Sequence, residues 1–291
     1  MTLPTTRKKA DSSIQHYKGL LYGREKIGKT TLLSRAKDTL FLTTEPGTEG
    51  LEIFEITIDT WTDMMKAVRD LEEDKSRFQM IVVDTADRAY DKCLDKVCRD
   101  LGIDYPGENA EGSIDYGKSW RAVRMEFLKA MHRIIATGRG LWLTSHAKEE
   151  EIRPKGSRPF SRIYPSMSKQ ARQTIEAFVD IVLYAEKVRD SEGHVRRVLI
   201  CEGDETVFAG ARAPAQFPPI LPMEAADGWS VIERGWLGQH PGLDPASLKP
   251  IEKVTSTASA KLLTSMRARK VIGMKPAPAR QVHPARIQKG A

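Results

Sequence analysis

The stretch Gly23-Arg24-Glu25-Lys26-Ile27-Gly28-Lys29-Thr30-Thr31-Leu32 fits G-x-x-x-x-G-K-[ST] and decides how the rest of the chain is read. Such a loop needs glycine where backbone N–H groups must face phosphate oxygens without a Cβ in the way. Lys29 supplies a point charge to the β- and γ-phosphates, and the Thr30 hydroxyl is a Mg²⁺ ligand. Residues 23–31 (Gly23, Arg24, Glu25, Lys26, Ile27, Gly28, Lys29, Thr30 and Thr31) are therefore the candidate nucleotide-phosphate site. The context agrees: Gly19–Tyr22 is a short apolar run that reads as a strand, and KTTLLSRA beyond it reads as a helix whose positive dipole end faces the anion.

Working outward, buried strands alternate with helical patterns. Thr39–Thr43 is an apolar strand running into the turn residues EPGTEG, and Ile53–Ile58 alternates as another. The segment after Thr60, a plausible N-cap, has apolar residues at helical spacing. Met80–Asp84 is fully apolar until its terminal acid, and a helix follows to about Leu101. GIDYPGENAEGS reads as a loop. Beyond Asp115, Trp120, Val123, Phe127, Met131 and Ile134 recur every three or four residues, which predicts a long amphipathic helix. Leu141–Ser145 is another buried strand. A polar, basic segment follows, broken by Pro154, Gly156 and Pro159 and read as an irregular loop, then a helix over about 169–177 and a hairpin turning at 190–193. The pattern predicts an α/β fold: a mostly parallel sheet flanked by helices, with an antiparallel edge hairpin. It suggests a flexible arm over 1–15, a core over 16–222, a Pro-rich, weakly patterned extension over 223–248 and a basic, mostly disordered tail over 249–291.

Strand ends supply the remaining candidates. Asp84 ends an apolar strand, where a carboxylate can steady the Mg²⁺ shell together with Thr30. Hydrolysis also needs a group that positions or polarises water, and Glu45 and His146 stand just past two strands. Lys29 would neutralise developing charge.

The 291 residues are 40% apolar, enough for a core, and no run approaches the ~18 apolar residues of a membrane span. MTLPTTRKKADSS has no apolar stretch after its basic residues, so a cytoplasmic protein with no membrane association is expected. Cys93, Cys98 and Cys201 suit neither a disulfide framework nor a zinc site and read as buried thiols. The net charge of +7 is uneven: residues 249–291 hold ten Lys/Arg and one acid, Glu252. Such a tail suits nucleic acid or an acidic protein partner.

The order of these features resembles the RecA-like ATPase core, and GREKIGKTTL, TTEPGTEGL, MIVVDT, DYGKSW and LTSHAK together resemble phage-encoded nucleotide-binding proteins of the AAA type, some of which are single-strand annealing recombinases of the Sak group. The likeness covers roughly residues 16–222. It implies ATP with Mg²⁺ as cofactors, Glu45 as the water-activating acid and His146 as the γ-phosphate sensor, where RecA itself has Gln. It implies residence in the host bacterial cytoplasm. It also implies a mobile DNA-binding loop after the sensor; here that segment carries Lys148, Arg153, Lys155, Arg158 and Arg162 with Phe160 and Tyr164 among them, cations for phosphates and rings for unpaired bases. Glu149, Glu150 and Glu151 run against that reading. The implied partners are single-stranded DNA, a single-strand-binding protein met by the tail, and further copies of the chain in a ring or filament, with Arg172 or Arg212 as candidates to complete a neighbour's site. A nucleotide-dependent switch or assembly factor, and a helicase loader or motor, are the competing readings.

Overall fold

The computed structural model describes residues 5–7, 11–74, 77–154, 156, 158–212, 215–224 and 228–251. After a 3₁₀ turn at Ile14–His16, the chain forms β1 (Lys18–Gly23), α1 (Lys29–Leu33), β2 (Thr39–Thr43), β3 (Phe54–Thr57), α2 (Trp61–Glu73), β4 (Met80–Asp84), α3 (Ala86–Leu101) and α4 (Lys118–Ala136). It continues through β5 (Gly140–Ile152), β6 (Phe160–Pro165), α5 (Lys169–Phe178), β7 (Ile181–Arg189), β8 (Val195–Ile200), β9 (Gly210–Ala211), β10 (Ile220–Pro222), α6 (Ser230–Trp236) and β11 (Lys249–Pro250).

The main path of the sheet runs β10-β8-β7-β1-β5-β4-β2-β3. From β7 to β3 neighbours are parallel; β8 and β10 add an antiparallel edge. This is the α/β P-loop NTPase core that the alternation of apolar runs and amphipathic helices predicts. A parallel sheet covered on both sides buries successive side chains on opposite faces. Leu20, Tyr22, Leu40, Leu42, Ile81 and Val83 pack under α2, α3, α4 and α5 on one face. Leu21, Phe41, Val82, Trp142 and Leu183 pack on the other, with α1 and α6. Residues 223–248, weakly patterned in sequence, supply Trp229, Val231, Ile232 and Trp236 to that second face, and Trp229 meets Trp142 edge-on at 5.1 Å between centroids.

The order of strands places the chemistry. Strand β5 lies between the strand that enters the phosphate loop and the strand that ends in Asp84. Its register sets His146 beside Gly23, while Asp84 lies beside Thr43. Gly23, His146, Asp84 and the residues just past Thr43 thus form a row at the C-terminal edge of parallel strands, where open α/β sheets bind ligands.

Several expectations need correction. The helix after the phosphate loop spans only Lys29–Leu33, not KTTLLSRA, because Ser34–Ala36 close in tight turns and Asp38 adopts a left-handed φ of 48°. A five-residue helix carries little macrodipole, so the loop's own amides and Lys29 must carry anion binding. The long helix starts at Lys118 rather than Asp115, whose carboxylate instead accepts from the Gly117 and Ser119 amides at 2.7 and 2.9 Å. The basic segment after β5 is not an irregular loop. Strand β5 continues past the sheet edge and pairs antiparallel with β6, from Ala147↔Pro165 to Ile152↔Phe160. Its helix- and strand-breaking Pro154, Gly156 and Pro159 all fall in the turn between the two strands.

Arg139 pins the start of β5 from below. It is 6% exposed and donates to the carbonyls of Phe78 (2.9 Å), Leu71 (2.7 Å) and Asp74, and to the Asp74 carboxylate (2.9 Å). It thereby satisfies carbonyls at the end of α2 that have no partner within the helix. Arg139→Met removes those donors and keeps the volume. It should lower the free energy of urea unfolding by about 2–4 kcal/mol; a loss below about 1 kcal/mol would show that water replaces the guanidinium. Gly140 next to it is a close-approach glycine, since a Cβ there would stand 1.5 Å from the Gln15 carbonyl oxygen.

Candidate phosphate and metal site

The loop between β1 and α1 closes on Lys29. This side chain is 6% exposed, and its Nζ donates to the carbonyls of Gly23 and Arg24, each at 3.1 Å. Burial pulls its pKa below the ordinary value, against the carboxylates of Asp84, Asp87, Glu45 and Glu25, which favour the charged form. A buried ammonium hydrogen-bonded to two neutral carbonyls, with those carboxylates acting only from a distance, is open to an anion in the cleft. Ile27 is buried in the core and anchors the loop, while Arg24 is exposed and gives its carbonyl to Lys29. Gly28 has φ 104°, a conformation that favours glycine.

Asp84 and Thr30 meet at the edge of the loop. Thr30 Oγ1 donates to Asp84 Oδ2 at 2.7 Å, and Thr144 from β5 donates to Asp84 Oδ1. Past Asp84, Thr85 and Thr44 exchange hydrogen bonds that tie the ends of β4 and β2 together: Thr85 N to Thr44 Oγ1 at 2.9 Å and Thr44 Oγ1 to Thr85 O at 3.0 Å. Among the described residues no group of three or more His, Cys, Asp or Glu could hold a metal by itself. One carboxylate plus one hydroxyl suits Mg²⁺ bound jointly with substrate phosphates, which keeps most of its other ligands as water and phosphate oxygen. Asp84 and Thr30 fit that role.

Glu45 and His146 come together as well, 101 positions apart in sequence. His146 Nε2 lies 3.0 Å from Glu45 Oε1, and Arg88 Nε lies 3.7 Å from Glu45 Oε2. The backbone N–H of His146 donates to Asp87 Oδ2 at 3.2 Å, and Ser166, just past β6, donates its hydroxyl to the same oxygen. Ser166 N also donates to His146 O at 2.8 Å, so His146 sits at the base of the β5–β6 hairpin. His146 Nδ1 and Asp87 Oδ1 are buried without a protein partner. Glu25, Lys26, Gly28, Lys29, Thr30, Thr31, Glu45, Asp84 and His146 line one cleft of about 610 Å³.

The DNA candidates do not reach this cleft. Lys148, Arg153, Arg158, Phe160, Arg162 and Tyr164 lie on the β5–β6 hairpin and its turn, and Lys155 lies outside the described residues, as does the tail beyond residue 251. Much of the hairpin's charge is balanced internally: Lys148 pairs with Glu150 at 2.9 Å and Arg153 with Glu151 at 3.0 Å. Arg172 is 9% exposed, bonded to Glu150 at 3.1 Å and stacked on Tyr164 at 4.0 Å, so it is committed within its own chain. Arg212 is exposed and pairs with Asp180 at 3.3 Å.

Three contributors escaped the sequence. Thr144 is one of two adjacent hydroxyls, with Ser145, at the end of the apolar run LWLTS, and nothing in the run singles it out. Asp87, one turn beyond Asp84, carries no motif. Arg197, from β8, lines the same cleft and had no local signal at all. The three cysteines are buried and free, and burial pushes the Cys201 thiol up to about 12. No helix among the described residues is long and apolar enough to cross a membrane.

No curated protein matches the chain. The family model described as an AAA domain matches residues 15–213, from the turn before β1 to the residues after β9, and the chain belongs to that family.

Proposed function

We propose that the chain binds Mg·ATP and hydrolyses it, and couples the reaction to single-stranded DNA in recombination or annealing. What supports the reading is the convergence of four separate strand ends on one cleft: a buried, under-compensated Lys29, the Thr30–Asp84 pair, and Glu45 held by His146. Mg²⁺, held by Thr30 and Asp84, would neutralise charge on the phosphate oxygens. Lys29 stabilises charge that grows on the β- and γ-phosphates. Glu45 orients the attacking water and accepts its proton, once it leaves the Nε2 of His146. The contact between His146 and Glu45 makes the carboxylate's freedom depend on the position of β5.

Coupling runs through the same histidine. His146 is the last residue of β5 paired in the main sheet, and the hairpin begins at the next residue. A terminal phosphate that draws His146 away from Glu45 shifts the base of the hairpin through Asp87 and Ser166. On the hairpin, Arg158 is exposed and has no carboxylate partner among the described residues, and Arg162 lies over the Tyr164 ring at 5.1 Å. Lys148 and Arg153 are already paired, so Arg158 and Arg162 carry the DNA contact. ATP turnover should rise with single-stranded oligonucleotide, and binding should weaken with salt. The double variant Arg158→Ala/Arg162→Ala should reduce the salt slope of log K by about 1.4, or 0.7 for each lost phosphate contact. An unchanged slope with unchanged turnover removes DNA from the hairpin.

The internal ion pairs of the hairpin favour one second reading, a nucleotide-dependent switch whose hairpin docks a protein. In that case turnover is indifferent to oligonucleotide.

A further inference from the structure

Arg197 stands on β8, opposite Lys187 of β7, outside the parallel core. Its guanidinium crosses to the phosphate loop. Nη1 donates to the Ile27 carbonyl at 3.3 Å, and a Cβ on Gly28 would lie 3.0 Å from that nitrogen. Its neighbour Arg196 is neutralised, with Nε 2.7 Å from Glu224 Oε1 and Nη1 3.7 Å from Asp190. Arg197 has no carboxylate partner among the described residues. It is a second uncompensated cation on the wall of the cleft that holds Lys29.

The position of Arg197 along the cleft gives it a role distinct from that of Lys29. Thr30, Asp84, Glu45 and His146 mark the end where metal, terminal phosphate and water belong. Arg197 lies against Gly28, away from those residues, and shares with Thr31, Arg35 and Met223 a small recess of about 30 Å³ beside the loop. A triphosphate whose last phosphate meets Asp84 and Glu45 must send its sugar and base out at the opposite end.

We propose that Arg197 grips the α-phosphate end of the nucleoside triphosphate from within the same chain. This rests on the Mg·ATP reading of the site and adds a contact at the end of the phosphate chain remote from the metal. The role fits the fold: the antiparallel β7–β8 edge brings to the loop a residue 170 positions away from Ile27. No second copy of the chain is needed for this contact.

Calorimetric titration with Mg·ATP, Mg·ADP and inorganic tripolyphosphate tests it. Arg197→Ala should weaken ATP and ADP by the same factor, about tenfold or more, as for a charge-assisted hydrogen bond to phosphate. Turnover at saturating ATP should stay within about threefold, because the terminal phosphate is untouched. Binding of tripolyphosphate, which has a third phosphate and no nucleoside, should weaken by the same factor. ATP affinity within about twofold of wild type in Arg197→Ala, with its melting temperature preserved, overturns the assignment. So does a fall in turnover at unchanged affinity, which would put the arginine at the terminal phosphate. Lys29→Ala is the control: if it binds ATP like wild type, the phosphate site itself is misread, whereas loss in Lys29→Ala without loss in Arg197→Ala rejects only the role of Arg197.

Discussion

Glu45→Gln should bind Mg·ATP within about threefold of wild type while its turnover falls by roughly 10²–10⁴, the contribution of a positioned general base. Glutamine keeps the length of the side chain and an oxygen to face His146, so the fold and the cleft survive. It cannot take the proton of the attacking water. Glu45 touches His146 and Arg88 and makes no hydrogen bond to Lys29 or to the Thr30–Asp84 pair, the groups proposed to hold the triphosphate. Binding and chemistry should therefore separate cleanly in this variant. Calorimetry for affinity and phosphate release for turnover check it; equal turnover in both proteins would move the base elsewhere, with Asp87 the next carboxylate along the same network.

Lys29→Ala should do the opposite and abolish binding. Removing one partner of a buried, charge-assisted contact costs about 3–5 kcal/mol, or some 10²–10⁴-fold in affinity. The effect has a pH signature. Burial lowers the folded-state pKa of Lys29 below 10.5, so the empty fold binds fewer protons than the unfolded chain across that window. The empty protein should accordingly gain stability as pH rises from the lowered value toward 10.5. Bound phosphate favours the ammonium, so nucleotide affinity should fall over the same range. Lys29→Ala should lose both trends, in thermal melts and in titrations at several pH values. Retention of either trend would assign it to another group.

The parts legible in the sequence are those whose physics is local. Met80–Asp84 and Thr39–Thr43 are apolar runs of five residues each, and their shortness rather than their pattern separates a strand from a buried helix. The phosphate loop is legible because its glycine spacing serves one backbone geometry. Trp229, Val231, Ile232 and Trp236 were missed because α6 spans only seven residues, too few to display a period, and its apolar face is set by Trp142 across the sheet. The hairpin was misread because Pro154, Gly156 and Pro159 dominated its appearance. Their placement in the turn leaves Ala147–Ile152 and Phe160–Pro165 free to pair. In the site, Asp84 and Glu45 were singled out because the ends of their strands are visible in sequence, whereas His146, read as just past a strand, lies inside β5 where it leaves the main sheet. Their mutual contacts follow from the insertion of β5 between β1 and β4, which no local pattern encodes. Arg197 depends on an antiparallel edge folding back across 170 positions and is invisible until the sheet is assembled.

The central claim is that a buried ammonium and the loop between β1 and α1 grip a triphosphate whose metal is steadied by Asp84. Isothermal titration of the full chain with ATP, with and without Mg²⁺, beside Lys29→Ala, tests it most directly. The expected result is a saturable heat with the wild type that strengthens with Mg²⁺ and vanishes in Lys29→Ala. A wild-type protein that gives no heat, or a Lys29→Ala protein that gives the same heat, would contradict it.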